Sequence, residues 1–244
     1  MNAVFYSVSA GAGNPELLTV QAVRVLNACE VICFPKTAGD GGESHHIAYD
    51  AVSEAVDLKT KDVRFFQIPM TRDRTVVCAE YERISRECAE LVRGGNSVAF
   101  VSIGDVSLYA TGSHIAERVQ SLGCEVRFVA GVTSFSVAAC AGAISLAQRD
   151  EMVTIIPADA FYIEKKLKSA LCADGTKILM KMGRHLREII ALIGECDLLG
   201  RTVLVQKASL PDERVFRGEA IRQMREEAFD AAYLSVIIVR GNRT

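Results

Sequence analysis

Short runs of β-branched and other apolar residues alternate along this chain with longer segments whose apolar positions recur every three or four residues. In the first half the short runs predict strands at Ala3–Ser9, Val31–Phe34, Val63–Ile68 and Ser97–Ile103. The longer segments predict helices at Pro15–Ala28, His45–Ala55, Val76–Arg93 and Gly112–Leu122. Local signals agree with these limits. Asn14 is a good helix cap and Pro15 suits a first helical position. Pro35 ends the second strand, and Gly94-Gly95 stops the long helix. Strands alternating with helices predict a mostly parallel α/β sheet.

The pattern loosens in the second half. Strands are expected at Glu125–Val129, Met152–Ile156, Lys177–Met180, Thr202–Lys207 and Val236–Arg240, the last closing the chain. Helices are expected at Ser134–Ala141, Tyr162–Leu171 and Leu186–Ile193, and Pro211–Gly218 reads as a hairpin or a loop. The reading is therefore α/β in two domains: residues 1–122 purely α/β, and residues 123–244 with a mixed sheet. No low-complexity linker or short internal repeat separates them.

With 244 residues, 50% of them hydrophobic, the chain is long enough for a sizeable core. A formal net charge of -2 carries no basic excess, so no nucleic-acid partner is expected. The 8 cysteines are scattered without a C-x-x-C pair, which argues against a zinc or redox site and for reduced thiols. No metal is expected. No basic segment leads into an apolar one at the start, and no apolar run is long enough to span a bilayer. A cytoplasmic location without a membrane partner is the expectation.

Four strand-end loops carry glycine or small polar residues: "VSAGAGNPELLT" from Val8, "GDVSLY" from Gly104, "AGVTSF" from Ala130 and "ILMKMG" from Ile178. In open α/β sheets ligands sit beyond the carboxyl ends of strands. The first loop is not a dinucleotide fingerprint, because the second predicted strand ends Phe34-Pro35-Lys36 and lacks the acid that binds a ribose. A tight turn is its plain structural reading. Asp105 reads either as a ligand contact or as a cap of the next helix. Because the loops come from both halves, a ligand cleft between two domains is expected.

These stretches resemble the tetrapyrrole methylase family, and the likeness runs over essentially the whole chain. "SAGAGNPELLT" is similar to the family opening G-x-G-P-G-D-P-x-L-L-T, "GDVSLY" to G-D-P-x-x-Y, and "AGVTSF" to P-G-V-S-S-F. Within the family, "FQIPMTRDR", "GDVSLYAT" and "AGVTSFSVAACAGAISLAQRDEMVTIIPA" resemble the members that methylate C20 of precorrin-2 or cobalt-factor II. The same runs argue against the family's protein-modifying and ribosomal-RNA-modifying members. Other precorrin methylases and a non-catalytic tetrapyrrole carrier are the competing readings. The chain departs from the pattern at Ser9, Ala12, Asn14, Val106 and Ala130. Lost prolines cost loop rigidity. Asn14 removes a carboxylate but keeps a cap.

The resemblance implies a two-domain fold, S-adenosylmethionine as methyl donor with S-adenosylhomocysteine as product, a small-molecule tetrapyrrole substrate, and a homodimer. It points to Ala12, Gly104, Asp105, Leu108, Thr133, Ser134, Met182 and Ala208 for the donor, mostly through main-chain groups. No catalytic residue is nominated, since water or a substrate carboxylate suffices as base. A substrate rich in carboxylates asks for cations. Lys36, Arg72, Arg74, Arg149, Lys181 and Arg184 near strand ends are the candidates, with Tyr109 lining the site. In an extended segment Arg72 and Arg74 share a side; the alternative pairs them with Asp73, Glu80 or Glu82. His45 and His46 lie in a Gly-rich stretch and read as substrate contacts or as exposed loop residues.

Overall fold

A computed structural model of the chain describes residues 3–38, 44–45, 47–69, 71, 73–224 and 234–241. It divides into two compact units, Met1–Thr133 and Ser134–Thr244.

The first unit runs β1 (Phe5–Ser9), α1 (Val20–Ala28), β2 (Val31–Ala38), β3 (Ser44–His45), α2 (Ile47–Ala55), β4 (Asp62–Ile68), α3 (Arg74–Arg93), β5 (Val98–Ser102), α4 (Thr111–Ser121) and β6 (Val126–Val129). Among the described residues these strands form one sheet in the order β3-β2-β5-β1-β6, with β4 beside β2. All neighbours are parallel except β2 and β3. The strand after Leu122 thus joins the first sheet at β1, and the first unit extends past the 122–123 limit read from the sequence to Thr133.

Alternation within the strands supplies two cores. Phe5, Val98 and Phe100 pack with Ile84, Cys88, Ile115 and Val119 of α3 and α4. Val8, Ala99 and Val101 pack on the opposite face with Ala22, Leu26, Ala48 and Val52 of α1 and α2. β5, buried at every position, is the continuous apolar run that a doubly covered parallel strand requires.

Two boundaries differ from the sequence reading for local reasons. Pro35 does not end β2; it lies beyond Cys33, the last residue of β2 paired with β5, where one side of the strand is unpaired. The helix expected over Pro15–Ala28 is a 3-10 turn at Pro15–Leu17 followed by α1. Two caps compete there. Asn14 Oδ1 accepts from Glu16 N–H at 2.9 Å, and Thr19 Oγ1 accepts from Ala22 N–H at 3.0 Å, so the chain restarts at Thr19.

The second unit runs α5 (Ser134–Ala141), β7 (Val153–Pro157), α6 (Ala158–Ile163), α7 (Leu167–Cys172), β8 (Thr176–Met180), α8 (Leu186–Glu195), β9 (Thr202–Gln206), β10 (Arg214–Arg217) and β11 (Ser235–Val239). Its sheet has the order β10-β9-β11-β8-β7, parallel between β7 and β8 and antiparallel elsewhere. The stretch Pro211–Gly218 contributes the second strand of a hairpin with β9. The strand that comes last in sequence, β11, is the middle of this sheet. Leu179, Leu204 and Ile237 meet Leu167, Leu171, Leu186, Ile189 and Ile193 from α7 and α8. The helix expected over Tyr162–Leu171 breaks into α6 and α7, with Lys165 at φ 56. No glycine announces this break; burial of Ala158 on one side and Leu167 and Leu171 on the other turns the chain.

Candidate functional site

In the first unit β5, β1 and β6 are adjacent and parallel, so the loops at their carboxyl ends lie side by side. These are the loops that the sequence singles out. The first two are joined directly: Gly104 N–H donates to Gly11 O at 2.6 Å, and Ala10 N–H donates to Ser102 O at 2.8 Å. Gly11 has φ +66, and a Cβ there would lie 2.9 Å from Leu17 O. Gly104 has φ +79, and a Cβ there would meet nothing within 4 Å. Gly11 is therefore fixed by packing as well as by its backbone conformation, whereas Gly104 borders open space on the side where a Cβ would stand.

Asp105 links the second loop to the third. Its Oδ2 accepts from Gly131 N–H at 2.8 Å, and its Oδ1 accepts from Ser107 N–H at 2.9 Å and from the Ser107 hydroxyl. Burial alone would raise the carboxyl pKa; the hydrogen bonds from Ser107 and Gly131 outweigh it and hold the pKa below the usual aspartate value. The helix-cap alternative for Asp105 is not what forms. The residue before α4 is Ala110, which makes no side-chain cap.

Beneath these loops the core changes from apolar to hydroxyl. Ser7 in the middle of β1, Ser9 at its end and Ser102 at the end of β5 are buried polar residues. Ser9 Oγ donates to Val129 O at 2.7 Å and accepts from Val106 N–H at 3.0 Å, so one side chain ties β6 to the Gly-Asp loop. Ser102 Oγ accepts from Gly112 N–H at 3.2 Å. A Cβ on Gly112 would fall 2.7 Å from Ser102 Oγ and 2.8 Å from Ser7 Oγ, so glycine lets α4 start directly over the serines. The glycine of the family opening that Ser9 replaces has become a hydrogen-bonded junction.

Of the donor residues expected in this unit, Ala12 is buried, and Gly104, Asp105, Leu108 and Thr133 are half-buried in the three adjoining loops. Tyr109 is exposed with φ 55, a strained conformation for a residue with a side chain. Lys36 is half-buried on β2, opposite Gln67 of β4. Arg74 is exposed and opens α3, so it does not continue an extended segment. Asp73 caps α3 by accepting from Thr75 N–H at 2.9 Å, while Glu80 and Glu82 pair with Arg83 and Arg86. Arg72 and His46 lie outside the described residues, and His45 is described only as backbone of β3. Among the described residues no group of three or more His, Cys, Asp or Glu is placed to hold a metal ion.

In the second unit Ser134 is half-buried at the start of α5. Met182 is wholly buried within the core, and its carbonyl oxygen accepts from His185 N–H at 3.1 Å. Ala208 is also buried, between Lys207 at φ 49 and Ser209 at φ 64. Lys181 is exposed at φ 54, and Arg149, at φ 50, and Arg184 are exposed too. The sequence reading passed over Asp159 and His185, which meet at 2.5 Å between Oδ1 and Nδ1. Asp159 follows β7 and His185 ends the turn after β8, so the strand-end rule applied to both loops would have found the pair.

The family model for tetrapyrrole (corrin/porphyrin) methylases matches residues 4–221, most of both units. The chain belongs to this family. Among its relatives, the cobalt-precorrin-2 C(20)-methyltransferase of Salmonella typhimurium is 29% identical over 89% of this chain and 89% of its own. A probable cobalt-precorrin-2 C(20)-methyltransferase of Methanocaldococcus jannaschii is 30% identical over 96% of this chain and 95% of its own. The methylase fold is repeated in solved structures. A cobalt precorrin-4 methyltransferase superposes with a TM-score of 0.71 at 19% identity, covering 97% of this chain and 94% of that one. The uroporphyrin-III C-methyltransferase of Thermus thermophilus, complexed with S-adenosylhomocysteine, gives 0.63 at 19% identity, covering 97% and 96%. Ser9 and Asn14 are this methylase's own departures from the pattern.

Proposed function

We propose that this methylase transfers the methyl group of S-adenosylmethionine to C20 of cobalt-precorrin-2, a step in cobalamin biosynthesis. The observation that carries the reading is identity of 29% and 30%, over most of both chains, to two methyltransferases named for that carbon and that cobalt substrate. The reading takes the donor from the product complexed in the related Thermus enzyme.

S-adenosylmethionine supplies an activated methyl group on a sulfonium, so the chain's task is alignment rather than activation. The first unit suits that task. The Cβ side of Gly104 faces open space where a ligand fits, and the ionised Asp105 is held in place by Gly131 and Ser107. We assign donor contacts to Ala12, Gly104, Asp105, Leu108 and Thr133, and to Ser134, Met182 and Ala208 of the second unit. Lys36, Arg72, Arg74, Arg149, Lys181 and Arg184, with Tyr109, are the proposed substrate contacts. The guanidinium and ammonium groups suit the carboxylates of the macrocycle. A cytoplasmic homodimer completes the proposal.

Incubation with methyl-labelled donor and cobalt-precorrin-2 tests it, with the label located by NMR. Label at C20 is the expected result. Label on another carbon makes the protein a methylase of different regiospecificity. Tight binding of the tetrapyrrole without label transfer makes it a carrier.

A further inference from the structure

Methylation of a meso carbon leaves one requirement unmet by alignment alone. After the methyl group has arrived, C20 still carries its hydrogen, and that proton must leave. The second unit contains a pair of side chains built for such a step. Asp159 is the second residue of α6, directly after β7, and His185 closes the turn after β8. β7 and β8 are parallel neighbours, so the two residues come from adjacent carboxyl ends.

Several features hold the pair together. Asp159 Oδ1 and His185 Nδ1 lie 2.5 Å apart, with only 22% and 17% of the two side chains exposed. Asp159 N–H donates to Lys181 O at 3.1 Å, and His185 N–H donates to Met182 O at 3.1 Å, so each backbone is tied to the same strand-end loop. Gly183 has φ +54, and a Cβ there would lie 2.8 Å from Asp159 Oδ1; only glycine leaves the carboxylate its place. The Tyr162 ring, one turn further along α6, packs on the imidazole with centroids 5.0 Å apart. Among the described residues His185 has no second side-chain hydrogen bond, which leaves Nε2 uncommitted. A histidine oriented through one nitrogen by a carboxylate, with the other nitrogen available, is the arrangement of a general base.

We propose that His185, positioned by Asp159, is the base that takes the C20 proton. This rests on the C20-methylation reading above. The C20 electron pair attacks the methyl carbon, forming the C–C bond. The C–S bond breaks, and its electron pair stays on sulfur as S-adenosylhomocysteine. The positive charge of the sulfonium now resides on the macrocycle. The C20–H bond then breaks, its electron pair returns to the conjugated ring, and the proton passes to His185 Nε2. The Asp159 carboxylate offsets the imidazolium until water removes the proton. Met182, assigned to the donor above, lies three residues before His185 in the same loop.

The test compares wild type, His185→Ala, His185→Gln and Asp159→Asn, using S-adenosylmethionine and cobalt-precorrin-2 carrying either hydrogen or deuterium at C20. The expected result for both His185 variants is a fall in kcat of about 10²–10⁴-fold, the usual contribution of a positioned base. KM, donor Kd and Tm should stay close to wild type, and a C20 deuterium isotope effect should appear. Added imidazole should restore turnover in His185→Ala, which a merely structural histidine does not permit. Asp159→Asn should lose kcat without losing donor affinity. Wild-type-like kcat in the His185 variants overturns the proposal. So does a loss of kcat that follows loss of Tm and donor binding in both variants and is not rescued by imidazole. If wild type itself places no label on C20, the functional reading fails first and takes this inference with it.

Discussion

A side chain at position 131 would occupy the space that Ser9 fills: a Cβ built on Gly131 lies 2.3 Å from Ser9 Cβ. Gly131 has no positive φ that would demand glycine, so the constraint is the serine itself. Gly131→Ala should therefore lower Tm by the equivalent of about 1–3 kcal/mol, the usual cost of overpacking. It should also weaken donor binding by moving the N–H that Asp105 accepts. Adding Ser9→Gly should restore part of the lost stability. A double-mutant cycle by thermal denaturation measures the coupling, and simple additivity would count against the contact.

Asp105 gives stability a defined pH dependence. Its pKa is lowered in the folded chain, so its contribution is complete above the unfolded value of about 3.9 and disappears as pH falls through the lower folded value. The Tm difference between wild type and Asp105→Ala should hold steady from neutral pH to about pH 5. It should shrink as the pH is taken below about 4. Denaturation scans across that range check the sign; a difference that grows on acidification contradicts it. At neutral pH, calorimetry should show the variant binding S-adenosylmethionine more weakly by about 1.5–3 kcal/mol.

Arg74 stands in the first turn of α3, where a cation opposes the helix dipole. Its presence there does not serve the helix. Replacing Arg72 and Arg74 with alanine should leave Tm unchanged or slightly higher, leave donor affinity unchanged, and raise the KM for the tetrapyrrole. Each lost charge-assisted contact is worth about 1.5–3 kcal/mol of acceptor binding. Steady-state kinetics with varied acceptor distinguish this from a structural role, in which Tm and donor binding fall together.

Asn14 occupies the family's aspartate position and accepts from Glu16 N–H. Asn14→Asp should be neutral in stability to within about 0.5 kcal/mol, because the two residues cap equally well, whereas Asn14→Ala should cost about 1 kcal/mol. Chemical denaturation measures both. Unchanged turnover in Asn14→Asp would show that this chain's chemistry does not depend on a carboxylate there.

Short apolar runs placed β1, β2 and β5 in advance, because those strands are covered on both faces and their burial is written directly into residue type. The glycines of the loops were legible for the same reason: φ values such as those of Gly11 and Gly104 leave few other choices. What the sequence hid depended on contacts between distant residues. Lys165 breaks α6 from α7 without glycine, because the packing of Leu167 and Leu171 overrides local propensity. β6 looked like the start of a second domain until its pairing with β1 was seen. In the site, Asp105 was legible as important but not as the acceptor of Gly131 N–H. Asp159 and His185 were within reach only of the strand-end rule applied to both loops, since 26 residues separate them and the parallel alignment of β7 and β8 brings them together.

The central place of β11 sets an order on synthesis. A ribosome makes the chain from its amino end, and every strand of the first sheet is finished by Val129. That sheet can close while later residues are still being added. The second sheet cannot. β9 and β8 have no common partner until β11 has emerged to lie between them, so the hairpin of β9 and β10 and the pair β7 and β8 wait as separate halves with one strand edge each unpaired. During that interval a nascent chain carries one folded unit and one dependent on its last strand. Stalled or prematurely released chains are the form in which chaperones and proteases should meet this protein.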